Sequence, residues 1–261
     1  VSGFAEAQRR SREFAEAHGD ALARRRAAAL CGGDTEAALA ELDAADLARA
    51  DLLRRVLGVC EELRALRSPL ARRALGVLES TRCDDGAFAP ASLPLAERLQ
   101  RTGDLGGILA RSPYGRPESL DAAGDFLARH FAPDLFQGFQ WANIAAYAHY
   151  FANAPHEAAD EVLQWCGREL ERGFRARQFD ALDTARVLVR CDAHGIPGAR
   201  LEREELLLGL LAQQQRDGSF GGELAPEARV EATLQGLHAL IFLGGGSAAR
   251  DATLDSRVPA R

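Results

Sequence analysis

Lysine and methionine are both missing from the 261 residues, so all 32 basic side chains are arginine. Without lysine there is no P-loop lysine, no Schiff base to a pyridoxal cofactor and no amine nucleophile. Arginine remains, and its planar fork suits carboxylate, phosphate or sulfate. No apolar run reaches the length of a membrane span, and no secretory signal pattern is visible. A formal net charge of −6 argues against nucleic acid as the main partner. The five cysteines, Cys31, Cys60, Cys83, Cys166 and Cys191, are scattered and form no CxxC. That usage suits reduced thiols in a cytoplasm rather than a disulfide frame. HExxH, GxSxG and GxGxxG are also absent.

What is present is helical. Residues 4–31, 34–44, 46–66, 69–81, 117–131, 137–153, 155–172, 181–193, 201–215 and 227–243 carry apolar residues at three-four spacing or strong helix formers. No segment alternates as a strand does. The expectation is an all-α domain over 1–243, with 1–70 as an atypical N-terminal part and 244–261 as a tail. The stretch 101–118, "RTGDLGGILARSPYGRPE", is the longest without pattern and reads as a boundary or a flap over a pocket.

Self-similarity is the strongest signal. "LESTRCDDGAFA" (78–89) and "LAQQQRDGSFGG" (211–222) share a helix end, an Asp-Gly turn and a phenylalanine. Gly86 and Gly218 stand 132 residues apart, three units of 44, a period that suits helical hairpins. "LDTARVLVRCDAHG" and "VEATLQGLHALIFLG" pair at an offset of 48, placing Glu231, Gln235 and His238 over Asp183, Val187 and Arg190.

"QQQRDGSFGG" resembles the QW-type repeat of squalene–hopene cyclases, class II terpene cyclases and protein prenyltransferase β-subunits. The resemblance is best over about 175–245 and fair at 75–90. It implies an α/α toroid, with glutamines tying adjacent hairpins and inner helices lining a central cavity; the alternative is an irregular α-solenoid of TPR or HEAT type. It also implies ring-forming chemistry on a small, partly apolar substrate. In those cyclases the motif DxDDTA supplies a general acid; "DALDTA" keeps Asp180, Asp183, Thr184 and Ala185 but has Leu182 where the middle acid stands. Leucine cannot donate a proton. Prenyltransferase β-subunits hold zinc with an Asp-x-Cys pair; no cysteine here has that neighbour, so neither metal nor cofactor is expected.

Two readings of Asp180 and Asp183 stand side by side: a helix cap with an Asp183–Arg186 pair, or an acid pair in an active site. Glu231 and His238 are the other candidates for proton transfer. Cys191, Asp192 and His194 read as a helix C-terminus closed by Gly195. On 137–153, Gln140, Asn143, Tyr147 and Tyr150 form a polar stripe beside Trp141, Ile144, Ala148 and Phe151. That is either a cavity wall that binds substrate or a solvent face beside a core face. Arg190 is a candidate to hold an anionic group. The expected partner is a small molecule. The rival readings are an intramolecular displacement with an anionic leaving group, and a non-catalytic subunit or oligomer that docks on another protein through helices such as that bearing Arg24–Arg26.

Overall fold

The computed structural model describes residues 2–132 and 140–245, of which Ser2 and Gln140 are placed by backbone alone. All regular structure among them is helical, and no helix is long and apolar enough to cross a membrane. The tail beyond Gly245 and the side chain of Gln140 lie outside the described residues.

Twelve helices follow in order: α1 Ser2–His18, α2 Ala21–Leu30, α3 Thr35–Ala40, α4 Ala50–Glu62, α5 Pro69–Ser80, α6 Leu95–Arg111, α7 Pro117–Arg129, α8 Gln140–Asn153, α9 Ala159–Arg175, α10 Ala181–Arg190, α11 Arg203–Gln213 and α12 Pro226–Gly244. Local chemistry sets several starts. The side chains of Asp20, Asp34, Ser68 and Asp180 each accept a backbone N–H of the first turn. Proline occupies the first turn of α5, α7 and α12, where its missing N–H costs nothing.

α6 corrects the expectation for 101–118: most of that stretch is a buried helix, not a boundary or flap. Its glycines are why it lacks a helical signature, and they are also why it packs. A Cβ on Gly103 would lie 2.6 Å from the carbonyl oxygen of Ala146. One on Gly106 would lie 2.8 Å from the Tyr150 ring, and one on Gly107 2.6 Å from His149. The three glycines therefore let α8 approach more closely than any side chain permits, and tertiary packing overrides weak propensity.

The even-numbered helices pack in series: α4 on α6, α6 on α8, α8 on α10, α10 on α12, and α12 back on α2. Arg26 of α2 completes the series by pairing with Glu62 of α4 at 2.7 Å. The odd-numbered helices pack against their even neighbours, and α12 also packs on α1. The two ends of the described chain thus meet.

The 132-residue repeat is visible as atoms. In the first turn, Phe88 N–H donates to Thr102 at 3.1 Å and Arg98 reaches Asp85 at 2.6 Å. In the second, Phe220 N–H donates to Thr233 at 3.0 Å and Arg229 reaches Asp217. Arg98 lies over the Phe126 ring of α7 at 4.9 Å, and Arg229 over the Phe14 ring of α1 at 5.0 Å. Gly86 (φ +96°) abuts the backbone of Ala122, and Gly218 (φ +88°) abuts that of Arg10; both need a residue without Cβ. Phe14 packs on His18 as Phe126 packs on His130. Helix α1 therefore sits against the second turn as α7 sits against the first. Gln214 fastens this junction, donating to the Ala7 carbonyl and to Ser11, both at 2.8 Å. Gln213 caps α10 instead, accepting from Leu182 N–H at 3.0 Å.

Candidate functional site: an arginine-lined cleft

Five helix ends or faces converge on one cavity of about 480 Å³. α2 contributes Arg26; α4 and its end contribute Arg54, Glu61, Glu62 and Arg64; α6 contributes Arg111. α10 contributes Arg186 and Arg190, and α12 contributes Glu231, Gln235, His238 and Phe242. Seven arginines and five carboxylates line it in all. A second cavity of about 300 Å³ shares Glu62, Arg64, His238 and Phe242 with the first. Its other walls are mostly apolar, with Ala29, Leu30, Leu63 and Ile241. The Phe242 ring there stacks on His194 at 4.8 Å.

The acids are held tightly. Glu61 accepts from His149 at 2.7 Å and Arg111 at 3.0 Å. Burial alone would raise its carboxyl, but His149, Arg111 and Arg190 outweigh burial and hold it at about 2. Glu231 is gripped by two nitrogens of Arg26, at 2.6 and 3.0 Å, and its carboxyl stays below the usual range despite partial burial. Glu62 differs: burial raises it even though Arg26 lies at 2.7 Å. Beneath the floor, Asp104 of α6 accepts from Arg190 at 2.7 Å and from Arg54 at 3.0 Å.

Arg26, Arg54, Arg111 and Arg190 share these short contacts, but three other cations are held more loosely. Arg186 has Asp183 at 3.5 Å, and the nearest acids to Arg55 and Arg64 are at 3.8 Å. A guanidinium has five N–H donors, and among the described residues Arg186 and Arg190 each engage an acid through one nitrogen. Arg186 and Arg190 stand one turn apart on α10, a like-charge spacing that is unfavourable by itself. Burial and the neighbouring Arg190 charge both push the Arg186 guanidinium down. His238 sits in the same field. Its ring makes no hydrogen bond among the described residues, and burial followed by the charges of Arg64, Arg111 and Arg26 drives it down to about 4. It is a neutral imidazole at pH 7.

Two residues at the mouth carry backbone conformations that L-residues avoid. Arg64 (φ +55°) and Asp192 (φ +48°) each occupy the left-handed position just past a helix, α4 and α10 respectively. Ala65 N–H bonds Cys60 O at 2.7 Å and Ala193 N–H bonds Leu188 O at 3.1 Å, the six-to-one bond of a Schellman cap. The left-handed residue that closes α10 is therefore Asp192, not Gly195 as the sequence suggests. Asparagine, aspartate or glycine is usual in this conformation, and arginine is costly.

Of the candidates from sequence, Glu231, His238 and Arg190 line this cleft. Asp180 is exposed and caps α10 by accepting from Asp183 N–H at 2.8 Å. Asp183 lies just outside the cavity wall, where burial and then Asp180 raise its carboxyl. Its carbonyl accepts from the Trp141 indole at 3.0 Å, while Arg186 covers the Trp141 ring at 4.5 Å. The rest of the polar stripe on α8 corrects the cavity-wall expectation. Tyr147 and Tyr150 are fully buried, donating to the carbonyls of Leu127 (3.0 Å) and Leu120, and Asn143 is buried too. None of the three touches either cavity. Cys191 is buried, and burial pushes its thiol up to about 12, away from the thiolate form a nucleophile needs. Among the described residues no group of histidines, cysteines and acids is arranged to hold a metal ion.

No motif in the sequence marks Arg26, Arg64, Arg111, Arg186, Glu61 or Glu62 as site residues. A faint signal existed: "RVL" occurs at 55–57 and again at 186–188, and both copies carry their arginine to this cleft. The fold and site together define an all-helical chain with an internal arginine cleft. No protein-family model, curated protein or solved structure matches the chain.

Proposed function

We propose that the chain is a cyclase-like enzyme of small-molecule biosynthesis that binds an anionic, partly apolar substrate in this cleft, and that its hairpins form the closed helical toroid expected from the repeat. One observation carries the reading: Arg186 and Arg190, one turn apart and largely buried, face the same cavity with donors to spare. Asp104 offsets the Arg190 charge from below, but burial and the Arg190 charge still disfavour the Arg186 guanidinium, and an anion seated beside both relieves that repulsion. The adjoining apolar cavity between Leu63 and Ile241 accommodates the uncharged part of such a substrate. His238, without a hydrogen bond among the described residues, is the group best placed to move a proton, while Glu231 is tied to Arg26. Asp180 caps its helix, and Asp183 orients Arg186 from beside the cavity.

In this reading the guanidinium groups seat the anion and fix the substrate's orientation, and the helical walls exclude water from a reactive intermediate. If the anion is the leaving group, the same arginines stabilise the charge that develops on it. The test is a panel of small carboxylates, phosphates and sulfonates with and without an apolar tail, screened by thermal shift against the wild type and Arg186→Gln/Arg190→Gln. Stabilisation that requires both the anion and the arginines supports the reading. Equal stabilisation of both proteins, or none of either, contradicts it.

A further inference from the structure

The His238 ring projects into a cavity in which cations reach it from almost every side. From α2 comes Arg26; from the end of α4, Arg64; from α6, Arg111; from α10, Arg186 and Arg190. Arg54 and Arg55 of α4 line the same cavity farther along, and the opposing charges are Asp51, Glu61 and Glu62 on α4, Asp192 past α10, and Glu231 on α12 itself. Each of those acids is already engaged: Asp51 with Arg49, Glu61 with His149 and Arg111, Glu62 and Glu231 with Arg26, and Asp192 facing Arg64. His194, beyond the Phe242 ring, is the other titratable neighbour in the adjoining cavity. Gln235, one turn before His238 on the same helix, is neutral. A proton on His238 is thus opposed by burial and by guanidinium groups around it.

An anion changes this balance. Seated in the same cavity against Arg186 and Arg190, it offsets the Arg64, Arg111 and Arg26 charges that oppose the imidazolium and adds an attraction of its own. We propose that this cleft takes up an anion and a proton together, with the proton drawn from solvent onto the His238 ring as the anion fills the arginine cluster. The proposal rests on the anion-cleft reading above and specifies the ligand further: a strong anion, bound with a proton at His238. The filled site then holds an imidazolium beside the anion, a proton donor of the kind that Leu182 cannot be. The free ring's low value, about 4 from its ordinary 6.5, agrees with this geometry.

The linkage has a definite sign. If filling the cleft returns the ring to about 6, the anion binds roughly tenfold more tightly at pH 5 than at pH 7. Inorganic sulfate is the probe, because it carries no titrating proton in that range. Its binding to the full chain is measured by calorimetry at pH 5.5 in buffers of different ionisation heat. The expected result is uptake of more than half a proton per sulfate by the wild type and almost none by His238→Gln, with sulfate still bound. Sulfate binding without proton uptake, or equal uptake by His238→Gln, overturns this proposal and leaves the anion cleft standing. No sulfate binding to the wild type overturns both. Should His238→Gln not fold, proton NMR of the wild type decides: one of the six histidine rings is expected to raise its titration midpoint by about one pH unit or more with sulfate, and no such movement overturns the proposal.

Discussion

Asp104 accepts from Arg190 at 2.7 Å, tying α6 to α10 beneath the cleft floor, and it is almost wholly buried. The same carboxylate takes Arg54 from α4 at 3.0 Å, so α4, α6 and α10 share one anion. Removing it leaves Arg190 largely buried without its counter-charge. Asp104→Ala is expected to destabilise the fold by about 3 kcal/mol, measured by urea denaturation. A cost below about 0.5 kcal/mol would mean that the network is not structural.

The glycine face of α6 yields a contrast within one chain. Gly103→Ala sets a Cβ 2.6 Å from the Ala146 carbonyl oxygen, backbone that has little room to yield. It is expected to cost roughly 2 kcal/mol, the penalty of overpacking. Gly76→Ala on α5 meets nothing within 4 Å and is expected to stabilise by about 0.5–1 kcal/mol. Equal effects at the two sites would contradict the close packing of α6 on α8.

The repeated turns make paired tests. Thr102→Val and Thr233→Val each orphan a buried backbone N–H, of Phe88 and Phe220 respectively. Each is expected to lose about 1–3 kcal/mol. If the second turn holds the chain ends together, Thr233→Val should also raise amide exchange in α1, whereas Thr102→Val should raise it in α7.

Arg64 holds a left-handed conformation at the cleft mouth. Arg64→Gly is expected to relieve about 1 kcal/mol of backbone strain and to weaken anion binding at the same time. A gain in thermal stability with loss of anion affinity would mark strain kept for function. Loss of both would place Arg64 in the structure alone.

His238 ties stability to pH. Its folded value, about 4, lies below its ordinary 6.5, so the unfolded chain takes the proton first as pH falls. The contribution is complete above pH 6.5 and lost between 6.5 and about 4, amounting to no more than about 3 kcal/mol. His238→Gln is expected to flatten the wild-type loss of stability across that window, measured by denaturant midpoints at stepped pH.

Much of this fold can be read from periodicity. Helices α4, α5, α9 and α10 announce themselves through apolar stripes, and Asp180 through its position before one. α6 does not, because glycines chosen for close approach erase the pattern that marks a helix. Tyr147 and Tyr150 mislead for a related reason: a phenol tip reads as polar, yet one carbonyl on α7 satisfies each of them inside the core. Glu231, Gln235 and His238 are legible as one helix face, since their spacing is local. The arginine cleft is not, because Arg26, Arg64, Arg111 and Arg186 come from four separate segments and only the closing of α12 on α2 gathers them.

The central claim, that Arg186 and Arg190 together seat an anion, is tested most directly by diffraction from crystals soaked in selenate. Its anomalous signal locates the ion without reference to the protein chain. The expected result is a selenate bridging Arg186 and Arg190 within the cavity, lost in Arg186→Gln. A cleft empty of signal at saturating selenate, or the same site still occupied in Arg186→Gln, would contradict the account.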